Sequence, residues 1–115
     1  MTNNESLEAF PIHELLVELE GEMTHLGVWA DRPPAPDAFL SQQPFAYDTM
    51  SLPEWMQFIF LPKMHELIES ESPLPSRCGI APMAEEFFKT STVDISRLLM
   101  ILNAIDACLG GLAEN

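Results

Sequence analysis

Prolines constrain this chain more than any other residue type. Proline has no backbone N–H and clashes with the helical turn before it, so helix interiors and central strands exclude it. The chain of 115 residues holds 10 of them. They cluster at Pro33, Pro34, Pro36 and Pro44, and again at Pro73, Pro75 and Pro82. Around and between these clusters the apolar residues recur at helical spacing. The prolines therefore act as dividers between helices.

A first helix is expected from Ile12 to Trp29, with Pro11 in its first turn, where a missing N–H costs nothing. Ile12, Leu16, Leu19, Met23 and Leu26 alternate steps of four and three and form one stripe. Leu15 and Val17 lie at its edge, and Glu14, Glu18, Glu20 and Glu22 fall mostly off it, toward solvent. Ser6, Leu7 and Phe10 suggest that part of the preceding segment is helical too.

Residues 30–50 form a connector too rich in proline for a regular element and long for a loop in a compact domain. Phe39, Phe45, Tyr47 and Met50 are expected to anchor it across the helices. A second helix follows from Leu52 to Glu69. Ser51 and Glu54 match the reciprocal capping box Ser-x-x-Glu. This helix is apolar around much of its girth, which marks it as central or as an interface. Pro62 frees the Phe58 carbonyl and predicts a kink. After a second connector, 70–81, a short helix is expected from Pro82 to Lys89. A last helix is expected from an N-cap at Ser91 or Thr92, with Ile95, Leu98, Leu99, Leu102, Ile105 and Leu109 on one face and Gly110-Gly111 closing it. No stretch alternates with period two, and no hairpin dipeptide occurs. The fold class is therefore all-α: a small helical bundle of three long helices and one short helix with Pro-rich crossover loops. Residues 1–115 are expected to form a single domain, with 1–6 and 113–115 frayed.

Hydrophobic residues make up 47% of the chain, enough for one core without metals or disulfides. Charge narrows the function classes. There are 18 acidic and 5 basic residues, for a net charge of −13. The basic residues, Arg32, Lys63, Arg77, Lys89 and Arg97, are scattered. Phosphate backbones and anionic lipids require concentrated positive charge, so no direct contact with nucleic acid or membrane is expected. A basic protein partner fits this charge. Cys78 and Cys108 sit in no zinc-binding pattern and are expected to be reduced, mostly buried thiols. The N-terminal residues lack the basic and apolar regions of a secretion signal, and no apolar run is long enough for a membrane span. A bacterial cytoplasmic location is expected.

Motifs for chemistry are sparse. Glu22-Met23-Thr24-His25 is a single Glu-x-x-His where carboxylate-bridged di-metal bundles use two. His65 and Glu69 could share a metal but do not complete that pattern, and His13 stands alone. No nucleophile elbow and no Gly-rich phosphate loop is present. No catalytic residue, metal or cofactor is expected. The densest functional candidate is Phe45, Tyr47, Asp48, Met50, Glu54, Trp55, Gln57 and His65. Aromatic walls with a few polar groups suit a pocket or groove, and the same residues suit a packed connector with Asp48 capping a turn.

Across residues 12–110 the chain resembles the YqcC-like family of small bacterial proteins. The likeness is carried by Trp29, Asp31, Pro34, Phe39, Gln43-Pro44-Phe45, Asp48-Thr49-Met50, Glu54-Trp55, Gln57, Pro62, Met64-His65, Leu67, Leu74-Pro75 and Ile80-Ala81-Pro82. The resemblance implies an all-α, bundle-like domain and a genomic association with a tRNA pseudouridine synthase. Such enzymes, as a class, use a catalytic Asp on a much larger α/β fold and grip RNA. A 115-residue helical chain at −13 has neither property, so Asp48 is not assigned that role. Two functions stay open. One is a non-catalytic protein-interaction module, accessory to such an enzyme or self-associating through the apolar second helix. The other is a small-molecule-binding protein or enzyme using an aromatic pocket around Tyr47, Trp55 and His65.

Overall fold

A computed structural model describes residues 3–75 and 79–110, with the side chains of residues 12–75 and 79–109. Cys78, Gly111 and residues 1, 2 and 113–115 lie outside the described residues. Helix α1 spans Asn3–His25, so it starts nine residues before the expected Ile12 and runs through Pro11, which lies in its interior and not in its first turn. The expected stripe is its buried face: Ile12, Leu16, Leu19 and Met23 are at most 2% exposed. The helix stops short of Trp29 because Gly27 takes a φ of +79°. There the Gly27 N–H bonds to the Thr24 carbonyl and the Val28 N–H to the Met23 carbonyl, at 3.1 and 3.0 Å. This pair of reversed bonds is a Schellman ending, and it needs the left-handed conformation that glycine adopts without a Cβ penalty. Glu22 departs from expectation. It is buried at 9% exposure and faces the Arg97 guanidinium at 3.6 Å, because the last helix packs over that flank of α1.

The connector contains two short 3-10 turns, Pro36–Leu40 and Pro44–Ala46, each opened by proline. Its anchors are smaller than expected. Ala38, Ala46 and Met50 make a minor core against Trp55 and Ile59, and the Thr49 hydroxyl donates to the Ala38 carbonyl at 2.7 Å. Phe39 and Tyr47 instead remain exposed.

Residues 52–69 run as one helix in three parts: α2 (Leu52–Trp55), a π-helical turn (Met56–Phe60) and α3 (Leu61–Glu69). The capping box forms as expected, with Glu54 N–H donating to Ser51 Oγ and Ser51 N–H to Glu54 Oε1. The interruption expected at Pro62 takes the form of the π turn, in which the Leu61 N–H reaches back to the Met56 carbonyl. Widening by one residue accommodates a proline that cannot donate. Helix α3 ends in a second Schellman pair, Ser72 N–H to Leu67 O and Glu71 N–H to Ile68 O, with Glu71 at a φ of +57°.

Helix α4 spans Ile80–Phe87, two residues earlier than expected. The cause is tertiary: both oxygens of Asp106 accept the Ile80 and Ala81 amides, at 3.0 and 2.9 Å. Helix α5 spans Ser96–Gly110 and starts later than Ser91 or Thr92. The Asp94 carboxylate accepts from both the Ser96 hydroxyl and the Ser96 amide. Those bonds, the side-chain one foremost, hold its carboxyl below its ordinary pKa. Ser91 caps only the turn before it, accepting from the Val93 N–H.

Helix α5 lies against α1 and α4, α3 against α1, and α2 against α4. Leu98, Leu102 and Ile105 of α5 are fully buried and join Met56, Phe60, Met64, Ile80 and Ala84 in one core. Each such large side chain contributes about 1.5–3 kcal/mol by its burial. No strand occurs among the described residues, and the fold is an all-helical bundle. Cys108 is exposed, contrary to expectation, because it falls on the outer face of α5.

Candidate functional site

The capping box sets where the site begins. By fixing Ser51 at the helix start it directs residues 44–50 back across α2 and toward α4. The turn there is strained. Phe45 and Ala46 have φ values of +58° and +49°, left-handed conformations that cost non-glycine residues about 1–2 kcal/mol each. What holds them is packing. The Phe45 ring meets Trp55 edge-on at 4.8 Å, and Trp55 stacks on Phe60 at 5.4 Å. Ala46 is buried in the minor core.

Between this turn and α4 lies a cleft of about 290 Å³ lined by Phe45, Tyr47, Met50, Ser51, Leu52, Met83, Glu86 and Phe87. Its walls are mostly apolar. The polar groups are the Ser51 hydroxyl, the Tyr47 hydroxyl and the Glu86 carboxylate. Tyr47 and Phe87 stand 63% and 46% exposed, so the cleft is open to solvent. Glu86 pairs with Lys89 at 2.7 Å on the surface.

The candidates from sequence separate into two sets. Phe45, Tyr47 and Met50 line the cleft. Asp48 is exposed and accepts a hydrogen bond from the Ser41 hydroxyl, which ties the turn together. Glu54 is committed to the capping box. Gln57 is buried, and its side-chain amide clamps the Ala30 backbone, accepting from its N–H at 2.8 Å and donating to its carbonyl at 2.9 Å. Trp55 backs Phe45 without lining the cleft. His65 is exposed, and its ring faces His13 of α1 at 6.1 Å. Tyr47, Trp55 and His65 therefore do not share one pocket. Sequence reasoning missed Ser51, Leu52, Met83, Glu86 and Phe87 as lining residues. The one available signal was the pair Phe87-Phe88, of which a single helix face can bury only one.

Among the described residues no three His, Cys, Asp or Glu side chains converge as a metal site would require. Glu22 of the Glu-x-x-His is engaged by Arg97, while His25 points to solvent. No helix among the described residues is long and apolar enough to cross a membrane. The second helix leaves no large hydrophobic side chain exposed between residues 52 and 69, whereas Phe39, Leu40, Tyr47 and Phe87 are exposed outside it. The apolar surface expected on the second helix is covered; the connector and α4 expose Phe39, Leu40, Tyr47 and Phe87, while Val17, Val93 and Met100 are exposed singly elsewhere.

A family model described as DUF446, tRNA pseudouridine synthase C, matches residues 11–108. An uncharacterized protein of Haemophilus influenzae is 43% identical over 91 residues, 79% of this chain and 85% of that protein. Uncharacterized protein YqcC of Escherichia coli is 37% identical over 79 residues, 69% of this chain and 72% of that protein. The solution NMR structure of YqcC superposes with a TM-score of 0.77 at 31% identity, covering 89% of this chain and 87% of that one. A 64-residue stretch, 56% of this chain, is 41% identical to part of tRNA pseudouridine synthase C of Pectobacterium carotovorum and spans 17% of that longer protein.

Proposed function

The chain belongs to the YqcC-like family, and from that premise we propose that it is a non-catalytic protein-interaction module accessory to a tRNA-modifying enzyme. The observation that carries this reading is the open cleft between Tyr47 and Phe87. Exposed aromatic rings around an apolar hollow are what interface anchors seek. The enzyme class is suggested by the Pectobacterium protein, in which a stretch similar to this chain sits inside a much longer polypeptide named for pseudouridine synthesis. Two functions joined on one chain in one organism are natural partners on separate chains in another. The charge of −13 directs the module to the enzyme and away from its RNA substrate. The cytoplasm, where tRNA is modified, is the matching location.

The small-molecule alternative keeps one favourable feature, the cleft itself. Its volume of about 290 Å³ is at the floor of the ~300–1,000 Å³ typical of small-molecule sites. The open rim would leave much of such a ligand in water, and no paired acid and base face the hollow. The docking reading therefore has the stronger support.

The test is native co-purification. The tagged chain is drawn from nuclease-treated lysate, and its partners are identified by mass spectrometry. A tRNA pseudouridine synthase is expected in stoichiometric amount, and it should be lost from Tyr47→Ser and Phe87→Ser variants. A folded bait that retains no such enzyme would refute the reading.

A further inference from the structure

We propose that the cleft between the Pro44–Ala46 turn and α4 takes a short basic peptide segment anchored by one large apolar or aromatic side chain, an assignment that rests on the docking reading above.

The lining selects the anchor. Phe45, Tyr47 and Phe87 offer ring faces and edges, and Met50 and Met83 offer thioethers. Aromatic rings pack best against other rings or aliphatic chains, and unbranched methionine adapts to the shape that enters. The hollow of about 290 Å³ accommodates one bulky side chain and little more. With Tyr47 and Phe87 at 63% and 46% exposure, the backbone of an entering segment would stay at the surface, across the rim. Ser51 has a group to meet it. Its Oγ accepts from the Glu54 amide, and its hydroxyl proton remains free to donate to a peptide carbonyl.

Charge selects the flanks. Glu86 lines the cleft, Glu85 precedes it on α4, and Asp48 follows Tyr47 on the turn, all three exposed. The Lys89 partner of Glu86 is itself exposed, and a solvent-exposed pair exchanges readily for another cation. Against 18 acidic and 5 basic residues overall, a Lys- or Arg-flanked segment is drawn in from a distance. A second copy of this chain, an RNA phosphate or an anionic lipid is repelled. The strained Phe45-Ala46 turn fits the same purpose, because left-handed non-glycine backbone is retained where it positions a functional surface.

The full chain is titrated with three synthetic peptides of about ten residues, followed by amide NMR shifts at about 50 mM NaCl. One has a central Trp flanked by lysines. The second replaces the Trp with Ala, and the third replaces the lysines with Glu. The Lys–Trp peptide is expected to shift residues 45–52 and 83–87 and to bind at least about tenfold more tightly than either control. Its affinity should fall about tenfold or more in Tyr47→Ser and in Phe87→Ser, each checked for an unchanged thermal melt. It should also fall several-fold when salt is raised to about 500 mM. Equal binding of the Glu-flanked peptide, or undiminished binding by both variants, would overturn the assignment. If the enzyme co-purifies through Tyr47 and Phe87 yet the Lys–Trp peptide does not bind, the basic-anchor assignment fails and the docking reading survives. If the peptide binds there and no enzyme co-purifies, the anchor assignment stands and the enzyme is not the partner.

Discussion

The α1–α5 face and the connector–α4 face are made from similar residues put to opposite use. Along α1 and α5, Leu16, Leu19, Leu98, Leu102 and Ile105 are completely buried, in relaxed helix ended by a glycine. Around the cleft, Phe45 and Ala46 hold left-handed backbone while Tyr47 and Phe87 are left in water. The first region gains stability from most of its apolar side chains, although Val17 and Met100 on its outer flanks stay exposed. The second forgoes part of that gain and adds backbone strain, which is the pattern of a surface kept for another molecule. Solvation, more than composition, separates the structural core from the proposed binding surface here.

Three substitutions probe that contrast. Leu102→Ala empties a fully buried site and is expected to cost about 2–5 kcal/mol in urea denaturation. A much smaller cost would mean that the α1–α5 face is not a dry core. Trp55→Ala lies at the boundary. Trp55 is half-buried between Phe45 and Phe60, so a loss of about 2–3 kcal/mol is expected, below the ~3–5 kcal/mol of a fully buried Trp. The variant should also loosen the Phe45 turn and weaken peptide binding, and an unchanged titration would detach Trp55 from the site. Tyr47→Ala is expected to change stability by no more than about 0.5 kcal/mol while removing binding at the cleft. A large loss of stability from that change would mark Tyr47 as structural and erase the difference between the two faces.

Much of the fold is legible one residue at a time. The four-and-three spacing of Ile12, Leu16, Leu19 and Met23 and the Ser51–Glu54 box are local patterns, and both form as written. The candidate site was legible in the smaller part. Phe45, Tyr47 and Met50 share a short stretch of chain, so their company is visible in sequence. Met83, Glu86 and Phe87 join them only because α2 packs on α4. His65 fails for the converse reason. A helix carries residues ten apart to different sides and different heights, and His65 ends beside His13.

By itself, then, the sequence determined that this protein is helical, that Pro62 interrupts the second helix, which stripe α1 buries, and that the net charge is −13. These follow from backbone sterics, local hydrogen bonding and composition, none of which needs a neighbour in space. Tertiary structure decided the rest. It made Asp106 the cap of α4 across 26 residues, turned Gln57 into a clamp on Ala30, and buried Glu22 against Arg97. It also brought Tyr47 and Phe87 to one open hollow and left both exposed. Each of these depends on which surfaces meet when the helices pack, and packing is settled by the shapes of whole helices, not by the residues of any one of them.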